Sequence, residues 1–228
     1  MVDMSMITLA EFEKVRADLA GHVDVLIQHS ENYYVICREA VNREPEPGGR
    51  AFNLIRRAVG HEIVSRLYRL IEGISGGSHF PSMMKQLADD SLLDQMMPVF
   101  NYDGRKSLNE LILLRDEVLR TFDDISASDE FAKTQIYRHR FVAHRLSQPR
   151  DLKRLPPSAD VTELSSKELS WLTDSLADIV GKVAYMMNRG GFPAADIAQM
   201  AQDEAHELWG LEPPKRSSVM DYLAPEGE

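Results

Sequence analysis

Apolar residues recur every three or four positions along most of the chain, the spacing that gathers them on one face of an α-helix. From Thr8 to about Ala40, Phe12, Val15, Leu19 and Val23 keep this spacing, and Thr8 with Glu11 three residues on predicts a capping box at the start. The pattern fits one long helix or two. "REPEPGG", Arg43 to Gly49, stops it, because two prolines and two glycines cannot continue a helix. A second helix follows from about Ala51 to Glu72. Its broad apolar face (Leu54, Ile55, Ala58, Val59, Ile63, Leu67, Leu70 and Ile71) predicts a central place in a bundle. "GISGGSHFPS", Gly73 to Ser82, reads as a loop. "FPSMMKQLADDSLLDQMMPVF" then gives one or two short helices divided near Asp89 and Asp90.

Ser107 and Glu110 form a second predicted capping box, opening a helix to about Asp124 on Leu108, Leu111, Ile112, Val118, Leu119 and Phe122. A further helix is expected from Ser128 to about Leu146. Three prolines in "QPRDLKRLPPSADVTEL" interrupt the pattern. Ser165 or Ser166 then starts the clearest helix, whose Leu169, Leu172, Leu176, Ile179, Val183 and Met186 make one narrow stripe. Its end falls at "NRGG", where the glycines suit a left-handed cap. A last amphipathic helix spans about Pro193 to Trp209. No stretch alternates as a strand does, and no segment repeats. The expectation is an all-α bundle in one domain over residues 1–210, with a flexible C-terminal tail over 211–228.

Composition agrees with a helical globular protein: 43% of residues are hydrophobic, 27% charged and only 7% aromatic. The single cysteine, Cys37, excludes an internal disulfide and a cysteine-based zinc site; flanked by apolar residues, it reads as a small buried hydrophobe. Without a secretory leader pattern or a long apolar run, the chain is expected to be cytoplasmic, with no membrane contact. There is no phosphate-binding glycine loop, no dinucleotide fingerprint and no H-E-x-x-H. His22 and His29 share a helix face without a carboxylate to complete a ligand set, and read as exposed histidines. No metal and no cofactor are expected.

Charge is where the chain departs from uniformity. The net charge of −10 argues against a general nucleic-acid coat, since phosphate binding needs concentrated positive charge. Yet between Phe131 and Leu155 lie Lys133, Arg138, Arg140, Arg145, Arg150, Lys153 and Arg154 against one acid, Asp151. At its centre stands "YRHRFVAHR", Tyr137 to Arg145. On spacing alone, cations near a helix C-terminus complement its dipole and need no further role. At about 100° per residue, His144 lies about 120° around a helix from Arg138 but about 40° from Arg140, so Arg140 is the better same-face partner.

The stretch also resembles the signature of HEPN domains, in which an Arg is followed after four to six residues by a His near a helix end. Arg138 matches the Arg, His139 the polar residue after it and His144 the His; the surroundings look closest to the abortive-infection, AbiU-like branch. The resemblance covers residues 8 to 190, although the specific motif is confined to these few positions. It implies an all-α, HEPN-like helical bundle with additional short helices. It also implies a homodimer in which two motifs form one metal-independent endoribonuclease site, cleaving RNA to a 2',3'-cyclic phosphate in a toxin or phage-defence role. Under that resemblance Arg138, His144 and His139 are the catalytic candidates, and Arg140, Arg145 and Lys133 contact the substrate. A toxin–antitoxin pairing with a nucleotidyltransferase-type antitoxin is a further implied partnership. A non-catalytic HEPN-like module that binds RNA, a nucleotide or a protein is the alternative that keeps the same bundle and basic strip.

Overall fold

The computed structural model describes residues 7–43, 49–73, 78–138 and 165–211. Among them are eight helices and no strand: α1 (Leu9–Arg43), α2 (Gly49–Glu72), α3 (Phe80–Leu87), α4 (Asp90–Phe100), α5 (Leu108–Ala127), α6 (Asp129–Tyr137), α7 (Ser166–Met186) and α8 (Ala194–Leu208). The fold is all-α, with α3 and α4 as the additional short helices.

Local chemistry sets most of the boundaries. Thr8 and Glu11 satisfy each other's backbone amides at the start of α1, with Glu11 N–H donating to Thr8 Oγ1 (3.2 Å) and Thr8 N–H to Glu11 Oε2 (2.8 Å). Ser107 with Glu110 and Ser165 with Glu168 build the same box at α5 and α7. The first apolar segment is one continuous helix. The end of α7 corrects the expectation of a glycine cap. Asn188 takes the left-handed position (φ 53°), while Asn188 N–H donates to Tyr185 O and Arg189 N–H to Ala184 O, a Schellman closure. At α8 the same closure does use glycine, Gly210 (φ 62°).

Centrality also differs from the sequence expectation. The α7 stripe is fully enclosed, with Leu172, Leu176, Ile179 and Val183 at 0% exposure, and α7 packs against α1, α2, α4, α5 and α6. The middle of the bundle is therefore α7 against α1, with α8 also packed along α1. Only the second half of α2 enters the main core, through Ile63, Val64, Leu67, Leu70 and Ile71. Leu54 is 70% exposed and Ile55 38%, so these two positions of the apolar face do not enter the core. There Phe52 joins a separate small cluster with Ile36, and Trp209 packs on it edge to face, ring centroids 5.1 Å apart. Gly60 lets α1 approach closely: a Cβ at that position would lie 3.1 Å from the Tyr33 ring.

Polar contacts fix the register between helices. Ser30 and Thr173 share a buried hydrogen bond of 3.0 Å between α1 and α7. On α8, His206 is 2% exposed; its Nδ1 donates to the Gln202 carbonyl (2.7 Å), which leaves Nε2 to accept from Arg38 of α1 (2.9 Å). Two further residues differ from their sequence reading. Cys37 is only partly buried and lies beside Tyr33, whose hydroxyl is pushed up by burial and by Cys37. His29 is half-buried rather than exposed, its Nδ1 without a hydrogen-bond partner, and burial followed by the charge of Arg66 lowers its pKa.

Candidate functional site

The helix that opens the basic motif is set by its own ends. Ser128 caps α6, its hydroxyl accepting from Phe131 N–H (3.1 Å), and Asp129 and Glu130 in the first turn complement the positive end of the helix dipole. Phe131, Thr134 and Ile136 face inward. This orientation sends Lys133, Tyr137 and Arg138 toward neighbouring helices. Arg138 closes α6 with helical backbone angles (φ −58°, ψ −49°). Residues 139–164 lie outside the described residues, so of the six sequence candidates Arg138 and Lys133 can be placed, whereas His139, Arg140, His144 and Arg145 cannot.

Arg138 is held over an aromatic face. Its guanidinium carbon stands 4.0 Å from the centroid of the Tyr68 ring on α2, within the range in which the ring quadrupole attracts a cation. Beside it Tyr137, partly buried against the core, meets His61 of α2 at a ring separation of 5.7 Å. His61 is half-buried, and burial, then the charge of Arg57, lowers its pKa, favouring the neutral imidazole. Gln135 donates to Glu72 at the end of α2. Three successive contacts therefore tie α6 to one face of α2.

Lys133 is committed differently. Its ammonium hydrogen-bonds Glu168 Oε1, while Glu168 Oε2 accepts from Ser165 N–H (2.8 Å) and Oγ (2.9 Å). One carboxylate thus caps α7 and pins α6 to it. The hydrogen bond that Lys133 donates to Glu168 raises the Lys133 pKa. Burial works to raise Glu168, but the bonds from Lys133 and Ser165 outweigh it and hold the carboxyl below its ordinary value.

Sequence reasoning missed Tyr68, His61 and Glu168 as neighbours of the motif. The signal available was the spacing on α2: His61, Tyr68 and Glu72 stand seven and four apart, so they share one helix face beside the buried stripe. What they face could not be read from the chain. Elsewhere, an open groove between α1 and α3 is lined by Lys14, Ser82, Lys85 and Gln86, and takes no residue from α6. No cluster among the described residues is arranged to hold a metal ion, and no described helix is long and apolar enough to cross a membrane.

An all-α bundle that presents an arginine at the end of a short capped helix, followed by "HRFVAH", has the form of a HEPN domain. A family model of that type, HEPN_AbiU2, described as AbiU2, matches residues 10–208, and the chain belongs to this abortive-infection family. No match was found among curated proteins or among solved structures.

Proposed function

We propose that the protein is a metal-independent endoribonuclease of the toxin or phage-defence type, acting as a homodimer with a composite site built on Arg138 and His144. The observation that carries this reading is Arg138 itself, placed at the end of α6 with its guanidinium fixed on Tyr68, in a chain of the HEPN AbiU2 family. A guanidinium stays charged at any working pH and can grip two phosphoryl oxygens at once. An imidazole near its ordinary pKa of about 6.5 exchanges protons near neutrality.

In the reaction, the His144 imidazole accepts the ribose 2'-OH proton as the 2'-oxygen attacks phosphorus. Arg138 stabilises the extra negative charge on the phosphoryl oxygens as the pentacovalent state forms. The bond to the 5'-oxygen then breaks, and an imidazolium returns a proton to that leaving oxygen. The products are a 2',3'-cyclic phosphate and a 5'-hydroxyl. His139 assists as a polar neighbour, and Arg140 and Arg145 contact flanking phosphates. Lys133 reaches RNA only by exchanging its Glu168 partner. A nucleotidyltransferase-type antitoxin is the partner this reading implies.

The test is cleavage of a mixed RNA substrate by purified protein in excess EDTA, beside a folded His144→Ala variant, with end-group analysis. Cyclic phosphate ends that vanish in the variant support the proposal. RNA binding without cleavage by the native protein moves the assignment to a non-catalytic binding module.

A further inference from the structure

We infer that Tyr68 is a positioning residue for the proposed reaction, holding Arg138 at the angle from which it meets the scissile phosphate; this rests on the ribonuclease reading above. An arginine side chain at a helix end has several rotatable bonds, and each unproductive rotamer dilutes the geometry a phosphoryl clamp needs. The Tyr68 ring removes that freedom. Its centroid lies 4.0 Å from the guanidinium carbon, so the cation is held against the ring face.

The ring is itself well fixed. Leu67 (0% exposed), Val64 (1%) and Ile71 (3%) anchor the same turns of α2 in the main core, so the half-buried Tyr68 projects from a rigid element. On the other side, the Gln135 bond to Glu72 and the Tyr137 contact with His61 keep the end of α6 in register with this face. A single ring face can engage only part of a guanidinium that carries five N–H donors, so donors remain for phosphoryl oxygens. The contact therefore restrains Arg138 while leaving it able to grip a phosphate.

The experiment compares Tyr68→Phe and Tyr68→Leu in the full-length protein, with Arg138→Ala as reference and thermal unfolding to verify folding. Phenylalanine keeps the ring and should keep kcat within about two-fold, whereas leucine should lower kcat by about five- to thirty-fold with KM little changed. Tyr68→Leu should leave RNA affinity close to native whereas Arg138→Ala weakens it, because Tyr68 sets the angle of Arg138 and not its charge. Folded Tyr68→Leu protein with native kcat would overturn the inference while leaving the ribonuclease reading intact, as would equal losses in Tyr68→Phe and Tyr68→Leu. A native protein that cleaves no RNA would instead remove the ribonuclease reading, and the role of Tyr68 with it.

Discussion

Lys133 and Glu168 offer a quantitative check on how α6 is held. Replacing Lys133 by alanine removes one ion pair between side chains that are 24% and 18% exposed, enough shielding to place its worth near the upper end for surface pairs, about 1 kcal/mol. Replacing Glu168 by alanine removes the same pair and also the carboxylate half of the Ser165 capping box, together about 2 kcal/mol. For a chain of this size these correspond to losses in Tm of about 2–4 °C and about 4–8 °C. The double variant should lose less than the sum, leaving a coupling energy of about 1 kcal/mol. Urea unfolding of the four proteins gives the cycle. RNA affinity measured on the same set adds a second axis: with its ammonium engaged, Lys133→Ala should weaken binding much less than Arg138→Ala. A coupling energy indistinguishable from zero, or an RNA defect in Lys133→Ala matching that of Arg138→Ala, would refute the reasoning.

The same carboxylate predicts a pH dependence. Because Glu168 is held below its ordinary value of 4.5 in the folded protein, its contribution is complete above that pH and is lost as pH falls through the lower folded value. The stability gap between the native protein and Glu168→Gln should therefore narrow on acidification below 4.5; a gap that widens would be wrong in sign. Leu176→Ala, at the enclosed centre of the α7 stripe, should cost about 2–5 kcal/mol, read from the shift in denaturation midpoint. His206→Ala should cost about 1–3 kcal/mol, since it opens space at a buried position and removes one hydrogen-bond partner of Arg38; unchanged stability would contradict the α1–α8 contact described.

Sequence legibility followed the range of the interactions. The capping boxes at Thr8 and Ser107 were readable because donor and acceptor lie three residues apart, while at α7 the sequence left Ser165 and Ser166 open and the structure chooses Ser165 with Glu168. The α7 stripe was readable because an unbroken spacing of three and four has one solution. Leu54 and Ile55 misled, since periodicity picks out an apolar face but not which of its positions a neighbour covers. Asn188 displaced the expected glycine because either residue tolerates the left-handed region, and chain position alone does not choose between them. At the site, the family resemblance was legible because its signature is local. The neighbours of α6 were not: Tyr68 and His61 sit on α2, Glu168 on α7, and only packing brings them to Arg138, Tyr137 and Lys133.

The most direct test of a shared Arg/His site is subunit mixing. Arg138→Ala and His144→Ala proteins, each inactive alone, are unfolded together, refolded and assayed for RNA cleavage in EDTA. The account predicts that activity returns in the mixture, because a mixed dimer pairs Arg138 of one copy with His144 of the other. A mixture that stays silent while refolded native protein cleaves would contradict a site shared between two copies.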